Sequence, residues 1–440
     1  MCRVWPMVSF LESLPQYKSY KKSGIESIEL IPQGWSVKSV RYTFKFLNSQ
    51  RIPLSAPQRE VRKGDYPYYG ASGIIDYVDG YIFDEPLILI AEDGANLLSK
   101  STPLAFVAKG KYWVNNHAHI IKPNLPGFTY WAELLSSLDY TPFISGAAQP
   151  KLTRDRLGSI RIPVPPINEI PRISSFLEAK ASLISRAISV KERQIDLLKE
   201  RRQILIQQAV TRGLEPHAPM RDSCIEWINE IPAHWSIKRA KYLFREVDER
   251  SPDGQQELLS VSHLTGVTPR SEKNVTMFMS EDYTGSKTCQ KDDLIFNIMW
   301  AWMGALGVSD RAGIVSSAYG IYRQLHPGTL NPQYLEMLLK TTAYIAHYNK
   351  VSTGLHSSRL RFYGHMFMAM EIGFPDRKEQ DAIVEYLDRE SEKLNKAVGL
   401  LEQQITKLKE YKATLINSAV TGKIKVPDVV EPVTPGMEVA

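Results

Sequence analysis

The chain repeats itself at long range, and that limits the folds open to it. Ile25 to Phe44 reads IESIELIPQGWSVKSVRYTF, and Ile225 to Phe244 reads IEWINEIPAHWSIKRAKYLF, with ten of twenty positions identical and no gap. A second pair lies at an offset of 210: KERQIDLLKERRQILIQQAVT from Lys191 and LEQQITKLKEYKATLINSAVT from Leu401 share eleven of twenty-one positions. Solenoid repeats recur every ~20–50 residues, far more often than this. The pattern is that of a duplicated half-molecule, and 440 residues suffice for two halves with a core each.

The second pair reads as helix. Apolar positions fall at Ile173, Leu177, Ile184, Ile188, Ile195, Leu198, Leu205 and Ala209. They recur at Ile383, Leu387, Leu394, Val398, Ile405, Leu408, Leu415 and Ala419. Steps of three, four and seven are the coiled-coil signature, and the two stripes most simply cover one another. Asp376 followed by Glu379 predicts one helix start and Asn168 the other. Gly213 and Gly422 fall where each helix should stop.

Between phrase and helix the order of elements also repeats. PLILIAED (Pro86 to Asp93) predicts a buried strand, LAFVAKGKYWVNNHAHIIKP a hairpin turning at Lys109-Gly110, and TYWAELLSSL a helix from Thr129. A glycine-containing basic loop, SGAAQPKLTRDR, and the strand IRIPVPP follow. The second half answers with DLIFNIM, a hairpin-like GVSDRAGIVSSAYGIYRQL, the helix PQYLEMLLKTTAYIAHY, the loop STGLHSSRLR and the strand MEIGFP.

Chemistry-bearing motifs are scarce. There is no phosphate-loop, dinucleotide-turn or nucleophile-elbow pattern, and no Asn-Pro-Pro-aromatic loop of the kind an amino-methyltransferase needs. A nuclease-like set can be forced onto Pro375, Asp376, Glu410 and Lys412, but the last two lie on the predicted coiled-coil helix as ordinary solvated positions. His117 and His119 share a strand face by period two, and a hydrogen-bonding pair fits them better than a metal site without a third ligand. Cys2, Cys224 and Cys289 are far apart with no C-x-x-C spacing, which suits a reducing cytoplasm. No leader-like apolar run opens the chain, and Ile295 to Val308 is too short to span a bilayer.

The positive signal comes from the loops, and the net charge of +6 is compatible with a polyanion. QPKLTRDR supplies Gln149, Lys151 and Arg154; GLHSSRLR supplies His356, Ser357, Ser358, Arg359 and Arg361. Asn115, Asn116 and His117 in the first half occupy the place of Ser316, Ser317 and Tyr319 in the second. Such side chains meet phosphates and read base edges, and their recurrence in both halves favours DNA contact. On the first long helix, Phe176, Leu183, Val190, Leu197 and Ile204 form a second stripe at strict seven-residue spacing. It is a candidate partner-binding face, or else a widened seam.

These residues carry a family resemblance. The paired IPQGW and IPAHW openings, the stretch from Tyr66 to Ala95, and the helix entries IPVPP and FPDRKEQ resemble specificity subunits of type I DNA restriction-modification systems. The first entry departs from that pattern, with Ile170 in place of a Gln and Pro171 after it. The resemblance implies an α+β fold with internal pseudo-twofold duplication. Two target-recognition domains, each mixed α/β with a twisted sheet, are separated by two long helices packed as an antiparallel coiled coil. The expected division is 1–167 and 214–375 for the recognition domains, 168–213 and 376–426 for the helices, and 427–440 for a disordered tail. It further implies a non-catalytic subunit that binds a split, asymmetric site in double-stranded DNA. Two methylation and two restriction subunits would be its partners, and S-adenosylmethionine, ATP and Mg2+ would act there rather than in this chain. A self-contained methyltransferase or nuclease, or a coiled-coil adaptor that does not bind DNA, are the competing readings.

Overall fold

In the computed structural model, which describes residues 14–146, 149–273, 282–354 and 360–427, one sheet plan is used twice. The chain divides into two compact units, 1–192 with 402–440 and 193–401. The cuts fall inside the long helices rather than at their starts, because each unit takes part of both.

In the first unit, β1 (Ser36–Ser39) and β2 (Phe44–Phe46) continue the IPQGW phrase. A hairpin of β3 (Lys63–Gly70) and β4 (Gly73–Val78) follows, then β5 (Leu87–Ala91) and β6 (Ala105–Ala108). After these come β7 (Trp113–Val114), β8 (Ala118–Pro123), the helix α1 (Phe128–Ser137) and β9 (Arg161–Val164). The main sheet is antiparallel in the order β2-β8-β5-β6, and β9 pairs with β1. Every residue of β5 is buried, as its unbroken apolar run requires.

The predicted hairpin at Lys109-Gly110 does not form. Gly110 does turn, with φ 74°, but β6 pairs with β5 while β7 joins β3 in parallel. Tyr112, stacked 5.6 Å from Phe83 and donating to the Glu85 carbonyl at 2.9 Å, holds the chain where it changes sheets.

The long helix α2 (Glu169–Arg212) leads into the second unit. There β10 (Ser236–Arg239) and β11 (Phe244–Glu246) continue the IPAHW phrase. The hairpin β12 (Leu259–Ser262) and β13 (Gly266–Pro269) follows, then β14 (Lys287–Cys289), β15 (Leu294–Phe296) and β16 (Leu306–Val308). Next come β17 (Gly313–Val315), β18 (Gly320–Gln324), the helix α3 (Pro332–Leu339), β19 (Glu371–Phe374) and the long helix α4 (Arg377–Val420). The main sheet runs β11-β18-β15-β16, the order of the first unit, and β10 pairs with β19 as β1 pairs with β9. Here too the hairpin expectation fails, since β16 returns to β15 and β17 pairs with β14. The predicted helix from Pro332 is two helices: it stops at Leu339 and restarts at Thr342, because Thr341 is extended and its hydroxyl donates to the Leu338 carbonyl at 2.8 Å.

Both stripes are buried or half-buried at all sixteen positions. In the first unit Ile184 and Ile188 join a core with Leu408 and Leu415; in the second, Leu205 and Ala209 join Ile383 and Leu387. Lys191 reaches Gln404 at 2.5 Å and Lys412 reaches Ser185 at 3.2 Å, so the segments of the first unit run antiparallel. Gly213 (φ 77°) and Gly422 (φ 75°) stand just past the helix ends in the left-handed region. Among the described residues, no helix is long and apolar enough to cross a membrane.

Candidate DNA-recognition surfaces

The recurring phrase builds a clamp. The buried Trp35 donates its indole N–H to Glu169 in the first turn of α2 at 3.1 Å. Tyr17 donates to the same carboxylate at 2.9 Å, and Tyr130 donates to the Val420 carbonyl at the end of α4 at 3.3 Å. The second unit repeats this with exchanged helices. Trp235 donates to Glu379 in the first turn of α4 at 3.1 Å, and Tyr334 to the Val210 carbonyl near the end of α2 at 3.0 Å. Each phrase therefore holds the start of one long helix beside the end of the other. Removing such a buried Trp costs about 3–5 kcal/mol.

The helix starts differ from a simple capping box. Asp376 does accept the Glu379 amide at 2.9 Å, but the Glu379 side chain turns away to Trp235 and His234. At the other start Pro171 fits within the first turn of α2, where its missing N–H is not needed. Gln380 ties its helix to the Asn331 amide (2.7 Å) and the Pro375 carbonyl (3.0 Å). Its counterpart Ile170 is fully buried and packs on Gly127 instead.

At the edge of the first main sheet, the predicted contact loops meet around Glu92 and Asp93. The Glu92 amide donates to the His117 carbonyl at 2.9 Å, and the Leu152 amide to the Glu92 carbonyl at 2.8 Å. Arg51 lies 2.6 Å from the Glu92 carboxylate and Lys151 lies 3.6 Å from it. Burial opposes the charge on Glu92, yet Arg51 and Lys151 with their neighbours hold the carboxyl below its ordinary value. His117 pairs with Asp93 at 2.8 Å and stands outside β8, so the expected shared strand face with His119 does not arise. His119 is wholly buried, which lowers its pKa and keeps it neutral. Its Nε2 donates to the Leu152 carbonyl at 2.7 Å, leaving Nδ1 to accept from Asn48 at 2.8 Å. Glu92, 3.5 Å from Nδ1, therefore faces an uncharged ring. Among the described residues no group of three or more His, Cys, Asp or Glu side chains gathers as a metal site.

Asn115 is buried, its side chain accepting from the His117 amide at 2.8 Å, so it shapes the loop rather than meeting solvent. Asn116, Gln149, Lys151 and Arg154 are exposed, Arg154 lying over the Phe46 ring at 5.4 Å.

Strand registers identify the corresponding edge of the second unit. Phe44 pairs with Pro123 as Phe244 pairs with Gln324, which sets Asn115 and Asn116 against Ser316 and Ser317. Glu92 and Asp93 correspond to Ile298 and Met299: the Phe362 amide donates to the Ile298 carbonyl at 3.0 Å as that of Leu152 does to Glu92. Arg361 stands where Lys151 does and bridges Thr353 through its backbone. Ser316, Ser317 and Tyr319 line a cleft of about 770 Å3 with Arg270, Lys273 and Trp300. His356, Ser357, Ser358 and Arg359 lie outside the described residues. The same frame thus carries acidic groups on one edge and apolar ones on the other. Arg51, Arg270, Lys273 and Trp300 escaped the sequence reading, since no local pattern marks them and Trp300 sits in a run that reads only as apolar.

Of the second stripe on α2, Leu183, Val190, Leu197 and Ile204 are each 48–59% exposed. Phe176 is not part of that face: it is 5% exposed and belongs to the core of the first unit.

Twofold use of one sheet plan, fastened to paired long helices, defines a duplicated two-module α+β protein. Residues 32–199 match the family model described as "Type I restriction modification DNA specificity domain". A Haemophilus influenzae protein named as type I restriction enzyme specificity subunit S.HindORF215P is 38% identical over 143 residues, 32% of this chain and 35% of that one. The chain therefore spans about a third of that relative's length. The type I restriction enzyme MjaVIII specificity subunit of Methanocaldococcus jannaschii is 21% identical over 432 residues, covering 90% of this chain and 94% of its own. A chain solved in work on "complex assembly and conformational transition of the type I R-M system" shares the fold, with TM-score 0.58 and 14% identity. It is matched over 89% of this chain and 98% of its own. The family match covers the first module and part of α2, and that stretch is similar to type I restriction-modification specificity domains.

Proposed function

We propose that the chain reads a bipartite, asymmetric site in double-stranded DNA, one half-site per module, and docks methylation and restriction subunits without catalysing either reaction. S-adenosylmethionine, ATP and Mg2+ then act in the partners, two of each kind, and the complex works in the cytoplasm. The observation that carries this reading is the pair of equivalent sheet edges with unlike residues. Glu92, Asp93 and Lys151 occupy one, while Ile298, Met299 and Arg361 occupy the other. One frame with two chemistries is what a reader of two different half-sequences needs. The exposed Leu183, Val190, Leu197 and Ile204 stripe is the docking face for a methylation subunit, whose apolar side chains would cover it.

The test is co-expression with the methylation subunits followed by methylome sequencing. One interrupted motif should appear, and it should vanish without this chain. Leu197→Asp, at a half-exposed position, should leave the melting temperature nearly unchanged but abolish co-purification of the methylation subunit. Methyl transfer or cleavage by the chain free of partners would establish the enzyme reading instead. Absence of salt-sensitive DNA binding would establish the adaptor reading.

A further inference from the structure

The cleft in the second unit has a chemistry that the first unit's edge lacks. Arg270 and Lys273 line it, and no carboxylate is among its described lining residues. Neither cation has an ion-pair partner among the described residues, whereas Arg51 and Lys151 of the first unit share Glu92. The two lie close enough to feel one another: burial first, and the charge of Arg270 second, lower the pKa of Lys273. An unpaired pair of cations on one wall is a seat for an anion.

The rest of the cleft is suited to a flat ring. Trp300 is 46% exposed on its rim, with Trp302 stacked behind it at 5.9 Å and 29°. Leu259 and Val261 give apolar walls, and Asn297, held to the Tyr319 hydroxyl at 3.2 Å, offers a polar edge. About 770 Å3 lies within the ~300–1,000 Å3 of small-ligand sites, room for a nucleotide but not for a duplex.

We propose that this cleft seats a single nucleotide of the DNA strand, displaced from its stack, with Arg270 and Lys273 on its phosphate and its base against Trp300. The proposal rests on the DNA-binding reading above and adds to it a mode of contact in the second module. Displacement of a base into a pocket with aromatic and apolar walls is how proteins reach atoms hidden in a duplex. At the corresponding place in the first unit Glu92 and Asp93 present carboxylates instead.

The experiment uses the full chain and two DNA probes of one arbitrary sequence, a fully paired duplex and the same duplex with one unpaired 2-aminopurine nucleotide. The wild type should bind the bulged probe about tenfold tighter, the loss or gain that one base–aromatic stacking contact carries. Trp300→Ala, and the double variant Arg270→Ala with Lys273→Ala, should erase that preference, while Trp300→Phe keeps most of it. Thermal melting of each variant checks that the fold is intact. Equal binding of both probes by the wild type, or a preference that survives in the folded variants, would overturn the proposal. So would binding of free deoxyadenosine monophosphate as tight as that of the bulged duplex. An interrupted methylation motif alongside equal probe binding would remove the cleft's role and leave the specificity reading standing.

Discussion

The Arg51–Glu92 pair sets the charge that this end of the first main sheet presents. Both groups are largely shielded from solvent, with side chains 16% and 13% exposed, so the pair is stronger than an exposed ion pair. The Glu92 carboxyl lies below its ordinary value in the folded state. Its contribution to stability is therefore complete above the unfolded glutamate value of ~4.3 and is lost as pH falls through the lower folded value. Glu92→Gln should cost about 1–3 kcal/mol at neutral pH, where it leaves Arg51 without its charged partner. The gap between variant and wild type should close below pH ~4 as the wild-type carboxylate is protonated. Thermal melts between neutral pH and acid check this, and a gap constant with pH would contradict it. None of this is legible in the sequence, where Arg51 and Glu92 are 41 residues apart with nothing local to join them.

The long helices are the elements the sequence describes best. Their apolar stripes repeat over many turns, so many positions agree on one period, and both stop signals are glycines in the left-handed conformation. The short strands are the opposite case. A two- or three-residue segment such as Trp113–Val114 carries too little pattern to reveal its partner, and β7 crosses to another sheet. The stops also differ in a way only packing explains. A methyl added at Gly422 would lie 2.5 Å from the Pro32 ring, whereas at Gly213 it would meet first a single carboxylate oxygen of Glu379 at 2.9 Å. Each Gly→Ala change pays about 1–2 kcal/mol for the left-handed backbone. Gly422→Ala should cost more than Gly213→Ala, as urea denaturation of the two variants will show; equal losses would mean the Pro32 ring moves aside freely.

At the scale of the whole molecule, each compact unit borrows from a distant part of the chain. Leu415, Ala419, Val420 and Ile424 are core residues of the first unit, although they follow the entire second unit in sequence. A chain ending at Leu401 lacks them, and it also lacks the Val420 carbonyl that accepts from Tyr130. Such a truncation should leave the N-terminal unit open to protease while residues 193–401 keep a cooperative core. Limited proteolysis with mass spectrometry distinguishes this from its alternative, in which the N-terminal half resists digestion as well as before. Within this chain, each unit's core is completed by residues from both long helices.

By itself, the sequence determined the duplication and the two long helices with their apolar stripes. Each is written in periodic or repeated residues, and burial of an apolar stripe leaves few other solutions. Tertiary structure alone decided which strands pair and what the repeated phrase is for. It joined Trp35 to Glu169 and Trp235 to Glu379 across more than a hundred residues. It also buried Asn115 and Phe176, which the pattern had offered as surface, and brought Arg270, Lys273 and Trp300 to one cleft. The reason is physical: a helix stripe is set by neighbours along the chain, whereas a sheet edge or a cleft is assembled from segments whose proximity no local period encodes.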